Sequence, residues 1–192
     1  MSQYGVSQTF INKAYHLAQL NDIATGQGIL RDIPIPLNAA VYTTASATTA
    51  SNANGVTLDN SADVASIDFK LPGDYDNTAY VENAIYAGDH LELLVDAIAT
   101  GVGTLAVSTV TVWRNGQAAA ITPTLTAAQS AAQTISTSAL TTYSFPLQGL
   151  GLQPGDSVTL TLDPTITGTN VVIRGFAVRY RSNLALTNID AR

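Results

Sequence analysis

Residues 157–162, Ser157-Val158-Thr159-Leu160-Thr161-Leu162, place an aliphatic side chain at every second position and a hydroxyl at each position between. A period of two belongs to a strand with one face in a core and the other in water, and a helix cannot produce it. The same alternation sets Leu91, Leu93, Val95 and Ala97 against Glu92, Leu94 and Asp96, and sets Phe176, Val178 and Tyr180 against Ala177, Arg179 and Arg181. Working outward, strands are expected over residues 64–71, 91–99, 105–114, 134–145, 157–162 and 171–180, all rich in Thr, Val, Ile and aromatics. Turn chemistry separates them at Pro72-Gly73-Asp74, Gly88-Asp89, Asn115-Gly116 and Pro154-Gly155-Asp156. Asn115-Gly116 is the strongest hairpin signal, although the bland stretch behind it does not declare a partner strand. In the run Ile33-Pro34-Ile35-Pro36-Leu37 each proline removes a ladder donor, so it reads as an edge strand or an extended arm. Six to eight strands without alternating helices point to an all-β, antiparallel two-sheet sandwich of jelly-roll type.

One helical pattern precedes the strands. Over residues 7–20, Phe10, Ile11, Ala14, Tyr15, Leu17 and Ala18 recur at helical spacing behind Ser7 as a candidate N-cap. Residues 21–28 are polar and glycine-bearing, as a linker would be. The expected organisation is therefore an N-terminal helical arm and linker over residues 1–32 and a sandwich over 33–192. Two low-complexity stretches, 43–54 and 118–138, read equally as loops or as Thr- and Ala-rich strands.

Composition narrows the function classes. The chain has 192 residues, of which 46% are hydrophobic and only 11% charged, so its surface must be built largely from hydroxyls, amides and small side chains. That balance is the opposite of intrinsic disorder. A net charge of -6, with Lys13 and Lys70 as the only lysines, argues against a nucleic-acid partner. The absence of cysteine removes disulfides and thiolate chemistry. No run of 18 apolar residues suggests a membrane span, and the opening MSQYGVSQTF has no signal-peptide pattern.

Signals for catalysis are thin. His16 and His90 stand apart from any metal-binding or nucleophile-base spacing, and neither G-x-S-x-G nor a glycine-rich phosphate loop occurs. The expectation is a non-enzyme without cofactor or metal. Nine of the fourteen carboxylates fall between Asp59 and Asp96, but Asp74, Asp76 and Asn77 read as a turn, since they lack the remaining ligands of a calcium loop. Tyr75, Tyr80 and Tyr86 share the long connection 72–89, the favoured contact surface, with rings that cover the open end of the sandwich as the alternative. Trp113 reads as a core-edge ring before a sugar platform. Arg174, Arg179 and Arg181 suit pairing with carboxylates, either those of residues 59–96 or those of a neighbouring copy.

The order Ile67-Asp68-Phe69-Lys70-Leu71-Pro72-Gly73-Asp74-Tyr75-Asp76, then Gly88-Asp89-His90-Leu91-Glu92-Leu93, then Leu152-Gln153-Pro154-Gly155-Asp156-Ser157-Val158-Thr159-Leu160, resembles jelly-roll decoration (cement) proteins of tailed bacteriophage capsids. The resemblance covers residues 33–181, and residues 77–87 lengthen a connection that would be short in such proteins. It implies a virion protein, a homotrimer bound to the major capsid protein, without catalysis. The contact residues would be Tyr75, Tyr80 and Tyr86, with Phe10, Ile11 and Leu17 on the N-terminal helix. The competing reading is a carbohydrate-binding or host-adhesion sandwich that uses Trp113 or the tyrosines as stacking platforms.

Overall fold

A computed structural model describes residues 29–43, 55–77, 90–168 and 170–182. The helix expected over residues 7–20, with Phe10, Ile11 and Leu17, lies outside the described residues, as do Tyr80 and Tyr86. The described chain forms ten strands: β1 (Ile29–Ile35), β2 (Ala40–Thr43), β3 (Val56–Leu58), β4 (Val64–Lys70), β5 (Leu91–Ala99), β6 (Gly103–Trp113), β7 (Gln133–Thr134), β8 (Thr141–Pro146), β9 (Ser157–Ile166) and β10 (Val171–Ser182).

All pairings are antiparallel, and they nest. β1 pairs with β10, β4 with β9, β5 with β8 and β6 with β7, the pattern of one long hairpin rolled up. One sheet runs β1-β10-β5-β8 and the other β2-β4-β9-β6-β7. This is a jelly roll, with β2 added at one edge and β3 sharing an edge of β10 end to end with β1. Alternation places Leu160 and Leu162 of β9, Leu93 and Val95 of β5, and Ile173 and Val178 of β10 in a single core between the sheets.

The prolines of β1 explain its place. Pro34 sits on the sheet edge, where a missing N–H costs no ladder bond, and Pro36 ends the strand before a short 3-10 turn, Leu37–Ala39. The strand expected over 134–145 divides instead. β7 belongs to one sheet and β8 to the other, and the segment between them crosses the side of the sandwich. Ile135 donates its N–H to the Gly103 carbonyl of β6, and the Ser136 carbonyl accepts from the N–H of Ala99 of β5. Ile135 is itself buried, so continuous β-propensity hides the change of sheet. Residues 118–132 form an irregular surface connection whose one ladder contact is an isolated bridge between Ile121 and Val112.

Tyr75 corrects an expectation. It is 1% exposed, it bridges to Ser182, and its ring meets Tyr180 edge-on at 6.5 Å, so it covers the end of the core. Asp74 beside it accepts from the hydroxyls of Ser182 (2.5 Å) and Tyr180 (3.2 Å) and lies 3.9 Å from Arg31. Burial, together with the neighbouring carboxylate, raises the Tyr180 phenol above its ordinary pKa.

The arginines of β10 are partly absorbed by the fold. Arg179 donates from Nε and Nη2 to the two oxygens of Asp32 at 2.7 and 2.8 Å and lies 3.9 Å from Glu92. Its hydrogen bond holds the Asp32 carboxyl below the usual 3.8, against a smaller opposing effect of burial. A lowered folded-state pKa stabilises the fold above the unfolded value and loses that effect as pH falls through the folded value. Asp32→Asn should therefore melt below the parent near neutral pH, and the two melting curves should converge under acid conditions below the ordinary aspartate range. A melting series against pH checks this.

Candidate functional site

Val112 points into the core, so the next residue of β6, Trp113, must point out. The Asn115-Gly116 turn, with Gly116 at φ 83 and the N–H of Gln117 donating to Arg114, ends the strand there, and the Ile121 bridge fastens Val112. Trp113 is 53% exposed, and the core-edge reading of this residue is replaced by an outward-facing one.

Register defines the surface around it. Trp113 lies opposite Ser157 of β9, and Ser157 lies opposite Lys70 of β4. The next outward-facing row is Thr111, Thr159 and Asp68, and the one after is Thr109, Thr161 and Ser66. Asp68 accepts from the Thr159 hydroxyl at 2.6 Å. Three strands thus present a hydroxyl-rich face with one large aromatic ring at its end.

Trp113 stands between two open grooves. The larger, about 640 Å³, is bordered by Lys70, Arg114, Asn115, Gln153 and Asp156; the smaller, about 360 Å³, by Asp68, Phe69 and Thr159. Behind the larger groove the Pro154-Gly155 turn, with Gly155 at φ 84, closes through the N–H of Asp156 to Gln153 and is tied to Leu71 by two backbone bonds. That turn buries the Asp156 side chain to 2% exposure, where it accepts from Arg114 Nε (3.0 Å), Arg114 Nη2 (2.9 Å) and the Gln153 N–H (2.8 Å). Arg114 Nη2 also donates to the Gly151 carbonyl at 2.9 Å. Its hydrogen bonds to Asp156 hold the Arg114 guanidinium above its ordinary pKa. Arg114 is thus fixed in place at the groove wall.

A groove of about 580 Å³ on the outer face of the other sheet is bordered by Pro34, Pro36, Leu94, Asp96, Thr142 and Arg174, without an exposed aromatic ring. His90 borders none of these three grooves, and its Nε2 lies 2.9 Å from Glu92 Oε1. Among the described residues no group of three or more His, Asp or Glu side chains converges as a metal site would. The Trp113 face offers stacking and hydrogen bonding.

Of the residues singled out from sequence, the structure places Trp113 on this face and Tyr75 in the core. Lys70, Arg114 and Gln153 were not foreseen. Their signal was the pairing of residues 64–70 with 157–162, which becomes readable only once the two proline-glycine turns are seen to lie side by side.

No family model matches the chain, and no curated protein sequence matches it. Several solved structures are similar in part. The CBM36-1 domain of a multidomain xylanase from the hindgut metagenome of Trinervitermes trinervoides aligns over 80% of this chain and 100% of its own, at 11% identity and a TM-score of 0.48. The xylan-binding module CBM15 aligns over 80% of this chain and 97% of its own, at 10% identity and a TM-score of 0.45. TmCBM61, solved with β-1,4-galactotriose, aligns over 84% and 94%, at 10% identity and a TM-score of 0.36. A likeness of that degree carries no argument about what this chain binds.

Proposed function

We propose that this chain is a non-catalytic carbohydrate-binding β-sandwich module that seats a glycan on the outer face of β4, β9 and β6, with Trp113 as the stacking platform. The observation that supports the reading is the half-exposed indole at the end of a hydroxyl-lined sheet, flanked by two grooves. A pyranose has an apolar C–H face and a polar rim. The first suits an indole ring, and the second suits the hydroxyls of Ser157 and Thr159 and the amides of Asn115 and Gln153.

Trp113→Ala should weaken glycan binding by about 30-fold, the effect of a hot spot of ~2 kcal/mol, and leave the melting temperature nearly unchanged. A glycan array followed by calorimetry on its hits checks both. Binding that survives the substitution would remove Trp113 from the site. The capsid-decoration reading rests on the sequence resemblance, and one of its anchors, Tyr75, is a core side chain. Saturable binding to assembled capsids with no glycan recognised would move the assignment there.

A further inference from the structure

The larger groove beside Trp113 carries a local charge opposite to that of the whole chain. Of eight Lys and Arg residues in a chain of net charge -6, two border it, Lys70 and Arg114. The one carboxylate on its wall, Asp156, is buried behind the turn and already accepts three hydrogen bonds. Arg114 spends Nε and Nη2 on Asp156 and Gly151, which leaves Nη1 without a partner among the described residues. Lys70 is exposed and likewise makes no ion pair among the described residues. Asp68, two residues before Lys70, borders the smaller groove, which Lys70 and Trp113 also line, and accepts from Thr159. The groove itself therefore has an excess of about one positive charge by this pairing.

We propose that the glycan is acidic, and that a sugar carboxylate lies in this groove between Lys70 and Arg114 while a pyranose ring stacks on Trp113. This rests on the carbohydrate reading of the same face. Lys70 and Trp113 are two strands apart, about 10 Å at the usual strand spacing, which suits a charged group on the same sugar residue or the next one along. The negative charge of the rest of the molecule acts weakly here, since it is screened beyond about 10 Å at 0.1 M salt. Stacking supplies most of the affinity and the cations supply the preference.

The test compares ligands that differ only in charge. Oligogalacturonates and oligoglucuronates are titrated beside their methyl esters, in which the same chain has lost its carboxylates, together with neutral gluco- and galacto-oligosaccharides, at 0.1 M salt. The expected result is that at least one acid binds about 3–5-fold more tightly than its ester, the range of an exposed ion pair, and that Lys70→Gln removes the difference without weakening the ester. Trp113→Ala should weaken both by about 30-fold. Equal binding of acid and ester, or a preference unchanged in Lys70→Gln, overturns the acidic-glycan inference, while Trp113-dependent binding keeps the carbohydrate reading. Failure of every acidic and neutral oligosaccharide to show Trp113-dependent binding overturns both.

Discussion

Tyr75→Ala should destabilise the isolated protein by roughly 3–5 kcal/mol, the usual cost of truncating a fully buried aromatic side chain. Tyr75 is 1% exposed, its ring packs edge-on against Tyr180, and its backbone bridges to Ser182 at the end of β10. The cavity would open beside Asp74, whose carboxylate ties Tyr180 and Ser182 together. For a chain of this length the loss corresponds to a fall in melting temperature of roughly 6–20 °C. Thermal unfolding followed by circular dichroism checks it. An unchanged melting temperature together with loss of a binding partner would restore Tyr75 as a contact residue.

Arg114→Ala should cost about 3 kcal/mol, because it strands a carboxylate that the fold keeps from water. The Asp156 side chain is 2% exposed, and with Arg114 gone only the Gln153 N–H remains of its three donors. Removing both charges should recover part of the loss, since the penalty belongs to the orphaned anion more than to the pair. Urea unfolding of the two single variants and of Arg114→Ala/Asp156→Ala gives the cycle. A double variant as unstable as Arg114→Ala alone would show that the arginine stabilises by packing. The double variant also separates fold from recognition, because it removes the groove wall without leaving a buried charge.

Much of the fold was legible because alternation survives in the sequence wherever one sheet face is wet. The alternation marks β5 at its observed bounds and places β4, β6, β9 and β10 within a few residues of theirs. β2 and β3 escaped because strands of four and three residues are too short to show a period. The change of sheet at residues 135–140 escaped because Ile135 is as buried as a strand residue would be. At the site, the type of residue was legible and its direction was not. Whether Trp113 faces in or out depends on one step of register, and only its neighbour Val112 in the core decides it. Tyr75 was misplaced for the converse reason: a tyrosine in a turn looks like a surface residue until the end of β10 is seen to close over it. Lys70 and Arg114 required long-range pairing, β4 with β9 and β9 with β6, which local pattern cannot provide.

Trp113 is the single tryptophan of the chain, so its fluorescence reports the proposed platform without interference from any other indole. The decisive measurement is an emission titration with the oligosaccharides that bind in an array. Sugar stacked on the ring removes water from a tryptophan that is 53% exposed, and the account predicts a saturable shift of the emission maximum to shorter wavelength, with the same midpoint as calorimetry. An emission spectrum that stays constant while calorimetry records glycan binding would place the ligand elsewhere on the molecule and contradict the account.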